Sequence, residues 1–359
     1  MPQKAIYYND YLHLDKILGA QFPESAKEGN EKAHDEMFFI IIHQAYELWF
    51  KLILFELDFV VEVFSKEKID DNSEDLNLVR HRMNRIIKIL ELLTQQITLL
   101  DSMTPLDFLE FRNLLIPASG FQSVQFRLIE ARLGLRMDNR FNKEYYKRTN
   151  EGGFSLTDFE RINETEKSKN LVSLIDKWLQ RMPFFEKDLW KDYQNEFPLI
   201  EGLHPFWGDY RYIYKNGLNE REANKINDFD FIFFENKNNL PDEKLPSKST
   251  LSPSSMRAAL FIMLYRDFPV FQTSYQILDA LIEIDHQMSN WRHKHIDMVR
   301  RMIGLRIGTG NTSGRGYLEG ALNKHYIFND LSGLSTFLIE RKNLPKLPGR
   351  LIKKLSYND

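Results

Sequence analysis

The chain has 359 residues, of which 43% are hydrophobic and 13% aromatic, enough apolar side chains for a large buried core. Its 48 basic and 51 acidic side chains give a formal net charge of -3, so bulk charge gives no argument for binding nucleic acid or an anionic membrane. Cysteine is absent, which excludes disulfides, cysteine-ligated zinc or iron–sulfur sites and thiolate nucleophiles. Any metal must be held by histidine, carboxylate or a cofactor.

The N-terminal segment MPQKAIYYND lacks the basic stretch and apolar run of a secretory signal. The longest apolar run, MFFIII, is far shorter than the about 20 residues that span a bilayer. We therefore expect a cytoplasmic protein without a membrane segment, whose partner is a small molecule or another protein.

Three long segments carry apolar residues at helical spacing, and no comparable run has a period of two. They are DEMFFIIIHQAYELWFKLILFELDFVVEVF, DLNLVRHRMNRIIKILELLTQQITLL and TSYQILDALIEIDHQMSNWRHKHIDMVRRMIG. Thr104 and Asp107 have the spacing of a helix start, Ser119 and Gln122 that of a capping box, and Gly304 is placed to end the last long helix. The sequence predicts an almost entirely α-helical fold.

His43 lies in the first long helix, which is apolar nearly all round as expected of a buried helix. Phe39, Tyr46, Phe50 and Leu57 share its side of the helix. A histidine in an aromatic wall can hydrogen-bond an indole N–H or a hydroxyl, and it can equally be structural. The residues alone do not decide between a binding role and a structural role for His43.

Arg112, in DFLEFRNLLIP, faces the same way as Phe108, Phe111 and Leu115. A guanidinium on an apolar face needs an anionic partner, because an unpaired buried charge is very costly. A protein carboxylate is the commoner partner, and a ligand carboxylate held by the fork of donors is the functional alternative.

Between about residues 136 and 250 the chain becomes rich in Asn, Lys, Glu and aromatic residues, with weaker periodicity. We interpret this part as a mostly helical insertion within a single domain of residues 1–359, whose core is about 1–135 and 250–345. Its end, ENKNNLPDEKLPSKSTLSPSS, combines prolines with charges and serines, and we expect a mobile loop or a lid there.

His295 lies at the centre of an apolar stripe of the last long helix, at about 100° per residue. The stripe consists of Leu281, Ile284, Met288, Trp291, Met298, Val299 and Met302. A core histidine bonded to a backbone carbonyl is one interpretation, and an axial haem ligand in an apolar wall is the other. His293 cannot share that role, because it points to the opposite, polar face.

Two further patterns are weak. The loop IGTGNTSGRG can turn backbone N–H groups toward a carboxylate or a haem propionate, yet such loops often simply turn the chain, and this one is neither a P-loop nor a dinucleotide fingerprint. The pairs Glu31/His34 and Glu283/His286 have the Glu-x-x-His spacing of di-iron bundles, but both pairs lie in charged or polar surroundings.

In chain order, several blocks resemble the tryptophan 2,3-dioxygenase family. They are YYNDYLHLDKILGAQ, HDEMFFIIIHQAYELWFK, TPLDFLEFRNLLIPASGFQSVQFRLIE, WRHKHIDMVRRMIG and IGTGNTSG. The resemblance covers about residues 5–135 and 250–340, and the insertion makes the chain more similar to the longer animal-type members. One departure is that Asn311 and Thr312 replace a Gly and a Ser of the usual GTGGSSG, where Asn still tolerates positive φ.

The resemblance implies a helical haem b protein, usually a homotetramer, in which ferrous iron binds O2 and both oxygen atoms enter the indole C2–C3 bond of L-tryptophan. The product would be N-formyl-L-kynurenine, the first step of tryptophan catabolism by the kynurenine route. By the same resemblance His295 would be the axial iron ligand and His43 the distal, catalytic histidine that contacts the indole nitrogen. The substrate-binding stretch before it would comprise Phe39, Ile40, Ile41 and Ile42.

The resemblance also implies that Arg112 clamps the substrate carboxylate, with Phe108 beside it, and that Thr309 helps to hold the amino and carboxylate groups. An N-terminal segment would complete a neighbouring subunit's active site, through Tyr8, Tyr11 and Leu12. Two rival functions remain: a related haem enzyme that hydroxylates an indole or phenol without opening a ring, and a non-catalytic haem or tryptophan sensor.

Overall fold

The computed structural model describes residues 5–69, 74–135, 149, 153–234, 250–304, 306 and 325–356. Over these residues the chain forms helices and no β-strand, which confirms the all-α prediction. The α-helices are α1 (Tyr8–Leu12), α2 (Leu14–Leu18), α3 (Asp35–Phe64), α4 (Glu74–Gln96), α5 (Pro105–Arg112), α6 (Val124–Leu133), α7 (Leu156–Lys167), α8 (Leu171–Gln180), α9 (Pro205–Gly217), α10 (Lys225–Phe233), α11 (Pro253–Leu264), α12 (Pro269–Ile303), α13 (Asn329–Gly333) and α14 (Gly349–Leu355).

Three long helices form the centre of the molecule. α12 packs along α4, α4 packs along α3, and α6 and α5 close against α3. Fully buried residues at helical spacing, such as Ile53, Leu57 and Val60 on α3, supply the contact surface. Truncating one of these side chains to Ala would cost about 2–5 kcal/mol, so the helices that carry the histidines are firmly held.

α3 combines strong hydropathy with a buried charge. At 30 residues it is long and apolar enough to cross a membrane by length and composition, although its longest uninterrupted apolar run is short. Glu56, in its second half, is 1% exposed and pairs with Arg82 and Arg85 of α4 at 3.4 and 2.6 Å. Because one face of α3, including Ile53, Leu57 and Val60, is buried against other helices together with this carboxylate, we interpret α3 as a core helix, which indicates no membrane.

The helix boundaries follow the expected capping chemistry. Thr104 and Asp107 form a reciprocal capping box at the start of α5, and Ser119 and Gln122 form another around a short 3-10 helix. Gly304 ends α12 with φ 58°, a conformation in the left-handed region that favours glycine. These three predictions are confirmed.

The described part of the 136–250 region is helical, comprising α7 to α10. α8 packs on α11 and α3, and its Trp178 belongs to the same hydrophobic cluster as Leu57 of α3. A smaller cluster of Leu128, Phe154 and Ile162 joins α7 to α6. The division into a core and an insertion remains a prediction.

Candidate active site

His43 is fixed on α3 by its own helix. Its Nδ1 lies 2.8 Å from the carbonyl oxygen of Phe39, one turn earlier. A carbonyl only accepts, so we assign the proton to Nδ1 and a free lone pair to Nε2. The ring is accessible in the single chain, yet neighbouring protein atoms desolvate it and lower its pKa below 6.5, against smaller opposing effects of the Phe39 carbonyl and of Glu47. At neutral pH, His43 therefore offers Nε2 as an acceptor.

Three phenylalanines form an aromatic wall beside this imidazole. The Phe39 ring lies 4.0 Å from the His43 ring and 5.7 and 5.5 Å from those of Phe108 and Phe111, between ring centroids. Phe108 and Phe111 meet edge to face at 5.4 Å. Because Phe39 comes from α3 and the other two from α5, the wall joins the two helices, and it suits a flat apolar ligand.

Arg112 ends α5, four residues after Phe108 and therefore on the same side of that helix. The residue is 9% exposed, and α5 packs against both α3 and α12. The structure thus places a buried cation at the end of a helix whose other residues form the aromatic wall. A planar guanidinium in such a setting is suited to bidentate pairing with a carboxylate.

The side chain of His295, on α12, packs against an aromatic ring. The Trp291 indole lies nearly parallel to its imidazole, at 5.2 Å and 11°. Burial lowers the pKa of His295 to about 4, and proximity to the titratable His43 lowers it further to a smaller extent. His295 is therefore neutral at physiological pH, as an axial iron ligand must be.

This donor set fits a haem. His295 supplies one neutral imidazole, and the part of the chain that the structure describes contains no group of three or more His, Cys, Asp or Glu side chains able to hold a bare metal ion. Iron bound through His295 would thus need its remaining ligands from a porphyrin. The di-iron alternative loses support as well, because His34 and His286 are exposed.

The other residues that the sequence predicts for the site differ in how deeply they are buried. Ile42 is buried, 3% exposed, whereas Ile41 is 50% exposed and points away from the face that carries Phe39 and His43; Ile40 is partly buried. α1 has no buried residue: Tyr8 and Tyr11 are 69% and 70% exposed, and Leu12 is partly buried. Thr309, Asn311 and Thr312 lie outside the described residues.

The structure also shows contacts near the site that the sequence analysis did not predict. Glu47, one turn after His43, accepts hydrogen bonds from Ser123 and Gln125 at 2.6 and 2.8 Å. Glu130 of α6 pairs with Arg292 of α12 at 3.0 Å, one turn before His295. The i,i+4 spacing of Trp291 and His295 can be read from the sequence. The pairing of Glu130 with Arg292 cannot, because these residues are 162 positions apart.

The chain is similar to known proteins over nearly its whole length. The profile of the family described as Tryptophan 2,3-dioxygenase matches residues 2–338. A tryptophan 2,3-dioxygenase from Bdellovibrio bacteriovorus is 39% identical over 374 residues, covering 100% of both chains. Tryptophan 2,3-dioxygenase B from Danio rerio is 40% identical over 95% of this chain and 84% of its own, and the Anopheles gambiae protein is 37% identical over 99% and 91%. The chain belongs to the tryptophan 2,3-dioxygenase family.

Proposed function

We propose that this chain is a haem-dependent dioxygenase that cleaves the indole C2–C3 bond of L-tryptophan with O2 to give N-formyl-L-kynurenine. Family membership supports the reaction class. The observation that carries the proposal to these residues is a series of ring contacts between their helices: Trp291 stacks on His295 at 5.2 Å and contacts Tyr46 of α3, one turn after His43, at 6.2 Å. A flat cofactor bound on His295 would be approached by substrate from the His43 side.

His295 would hold the cofactor. When bound there, haem b supplies a ferrous iron that binds and activates O2. The protein's part is to keep the imidazole neutral by burial and to fix its plane by the stacking of Trp291. Both effects follow from the packing of α12 against the helices beside it.

His43 would orient the indole rather than remove its proton. Its Nε2 lone pair can accept the indole N–H while Nδ1 stays bonded to Phe39. A histidine with a pKa below 6.5 is a poor match for deprotonating an indole, which is a far weaker acid. Phe39 and Phe108 would contact the ring and exclude water from it.

Arg112 would hold the amino-acid end of the substrate through its carboxylate. The guanidinium is buried, so the charge pair would form away from bulk water, where it fixes orientation most strongly. We also propose that Thr309 contributes to this end of the substrate.

A neighbouring copy would complete the site in a cytoplasmic homotetramer. The exposed tyrosines of α1 form an apolar surface of the kind that other chains cover. The residues that follow are tied to α3 beside His43, because Gln21 donates to Gln44 at 2.7 Å and Gln44 donates to the Ala20 carbonyl at 2.9 Å. This anchor supports a role for the N-terminal segment near the mouth of an active site.

The test is turnover with isotopic oxygen. The purified, haem-loaded and reduced protein receives L-tryptophan under 18O2, and the product is identified by mass spectrometry. Two labelled oxygen atoms in N-formylkynurenine, lost in His295→Ala and kept in His286→Ala, are expected; His286 is an exposed histidine of the same helix. One labelled oxygen would indicate a hydroxylase, and haem binding without oxygen uptake would indicate a sensor.

A further inference from the structure

A cavity lies away from the two imidazoles, between the end of α8, the start of α9 and the start of α11. Its volume is about 410 Å³, within the range of about 300–1,000 Å³ that is typical of small-molecule sites. Its lining includes the aromatic residues Phe185, Trp207 and Phe234 and the polar residues Gln180, His204 and Arg257. None of them belongs to the site proposed for tryptophan cleavage.

Arg257 brings a desolvated positive charge to this cavity. Its Nη1 donates to the Phe233 carbonyl, and its guanidinium lies 5.7 Å from the centroid of the Phe234 ring. Burial lowers its pKa. Arg257 is partly buried, and among the described residues no carboxylate lies within ion-pair distance of it, although an anion or several acceptors would offset its desolvation. The cavity therefore presents a cation to which an anionic ligand can bind.

His204 adds a neutral donor of defined direction. Its Nδ1 accepts the Phe206 N–H at 3.3 Å, where it caps α9, so the ring proton must lie on Nε2. Burial lowers its pKa to about 4, which keeps the ring uncharged at neutral pH. Phe185 and Trp190 pack edge-on against the imidazole at 5.2 and 4.7 Å and hold it in place.

The remaining walls select the shape and charge of the ligand. Phe185 and Trp207 stack on each other, with 5.7 Å between ring centroids and 24° between planes, and both line the cavity with aromatic carbon. The amide nitrogen of Gln180 is already bonded to Asp176 and Ser252. The described lining contains no aspartate or glutamate, so it offers no carboxylate to an ammonium group.

We propose that this cavity binds a small planar aromatic carboxylate without an amino group, whose carboxylate pairs with Arg257 and receives a hydrogen bond from His204. The ring of the ligand would contact Phe185 and Trp207. The absence of an acidic side chain from the described lining makes aromatic amino acids poorer ligands than the corresponding acids. The cavity is thus a second ligand site with a selectivity opposite to that of an amino-acid site.

Calorimetric titration of the haem-loaded full-length protein with indole-3-propionate tests this proposal. Saturable binding is expected, at least tenfold weaker for the neutral indole-3-propionamide because the charge pair is lost. Arg257→Gln should weaken the acid at least tenfold, whereas Arg341→Gln, at an exposed ion pair, should not. Ser254→Phe, which fills the cavity from its exposed rim, provides a second variant should Arg257→Gln fail to fold.

A parallel titration of Arg112→Ala separates this cavity from the proposed active site. Indole-3-propionate binding that survives Arg112→Ala and disappears in Arg257→Gln supports the second site. Binding that disappears in Arg112→Ala and survives in Arg257→Gln overturns it while leaving the proposed dioxygenase function intact. Absence of saturable binding to the wild-type protein, or equal binding of the amide, also overturns the proposal.

Discussion

The indole of Trp291 stacks on the imidazole of His295, one helical turn away, with 5.2 Å between ring centroids and 11° between ring planes. The same indole contacts the rings of Phe126 at 5.0 Å, Tyr46 at 6.2 Å and Phe50 at 6.4 Å. These neighbours come from α3 and α6, so the plane of the proposed iron ligand is set by three helices. Trp291 is in this sense a positioning residue for His295.

Replacing Trp291 with Leu should weaken haem binding by about two- to tenfold, because an aromatic pair contributes about 0.5–1.5 kcal/mol beyond the area that it buries. Trp291→Phe keeps a ring against His295 and should lose much less. Absorbance titration of the purified variants with haem measures both affinities. Equal haem affinity in the Leu variant and the wild type would show that the stack has no positioning role.

The Nε2 of His43 should distinguish substrates that carry an indole N–H from those that do not. Wild-type enzyme is expected to bind L-tryptophan about tenfold more tightly than 1-methyl-L-tryptophan, since one hydrogen bond is worth about 1 kcal/mol net and the methyl group adds a clash. In His43→Ala the preference should largely disappear. Equilibrium binding to both variants provides the comparison, and an unchanged preference in His43→Ala would place the indole nitrogen elsewhere.

Titration of His43 should appear as an acid limb in kcat/KM. Burial lowers the pKa of this imidazole below 6.5, and the protonated ring has no lone pair for the substrate N–H. Activity should therefore be constant above about pH 6.5 and fall as pH decreases through the lowered pKa. His43→Gln cannot titrate, so its residual activity should lack this limb across about pH 5 to about pH 8. An identical limb in the Gln variant would assign it to another group.

Much of the site was predictable because helical spacing is local. Phe39 and His43 on α3, and Phe108 and Arg112 on α5, are each four residues apart, so their shared faces follow from the sequence alone. The caps at Thr104 and Gly304 were predictable for the same reason. The family resemblance then supplied partners for side chains whose local pattern left two interpretations open.

Tertiary contacts between distant residues could not be predicted in this way. The pairing of Glu130 with Arg292 and the cavity around Arg257 both join segments that are far apart in the chain. The span of α3 was predicted from helical spacing, but the burial of charged residues on it, such as Glu56, was not. Their burial is decided by partners on α4, which periodicity does not identify.

Glu130 is the centre of a buried charge network that should be essential for stability. It pairs with Arg127 at 3.2 Å, Arg292 at 3.0 Å and the Nδ1 of His325 at 3.5 Å. Glu130→Gln would leave buried guanidinium groups with less compensating charge and should lower the free energy of unfolding by about 3–5 kcal/mol. Asp188→Asn, at an exposed pair with Lys191, should change it by less than about 1 kcal/mol. Urea denaturation of both variants measures the difference, and equal effects would contradict the importance of burial.

Sharing of active sites between subunits should be detectable by complementation. A chain truncated by residues 1–14 retains Arg112 and both imidazoles but lacks Tyr8 and Tyr11, so it should bind haem and not turn over tryptophan. An Arg112→Ala chain has the N-terminal segment, but its own pocket should bind substrate about 2–5 kcal/mol more weakly if the charge pair is buried.

Co-expression of these two chains, each with a different affinity tag, gives mixed oligomers that can be purified over both tags. In a mixed oligomer the Arg112→Ala chain can place its intact N-terminal segment over the intact pocket of the truncated chain. Tryptophan turnover should therefore return in the mixture, although each parent alone is nearly inactive. Mixed oligomers as inactive as their parents, or full activity of the truncated chain by itself, would show that each subunit completes its own site.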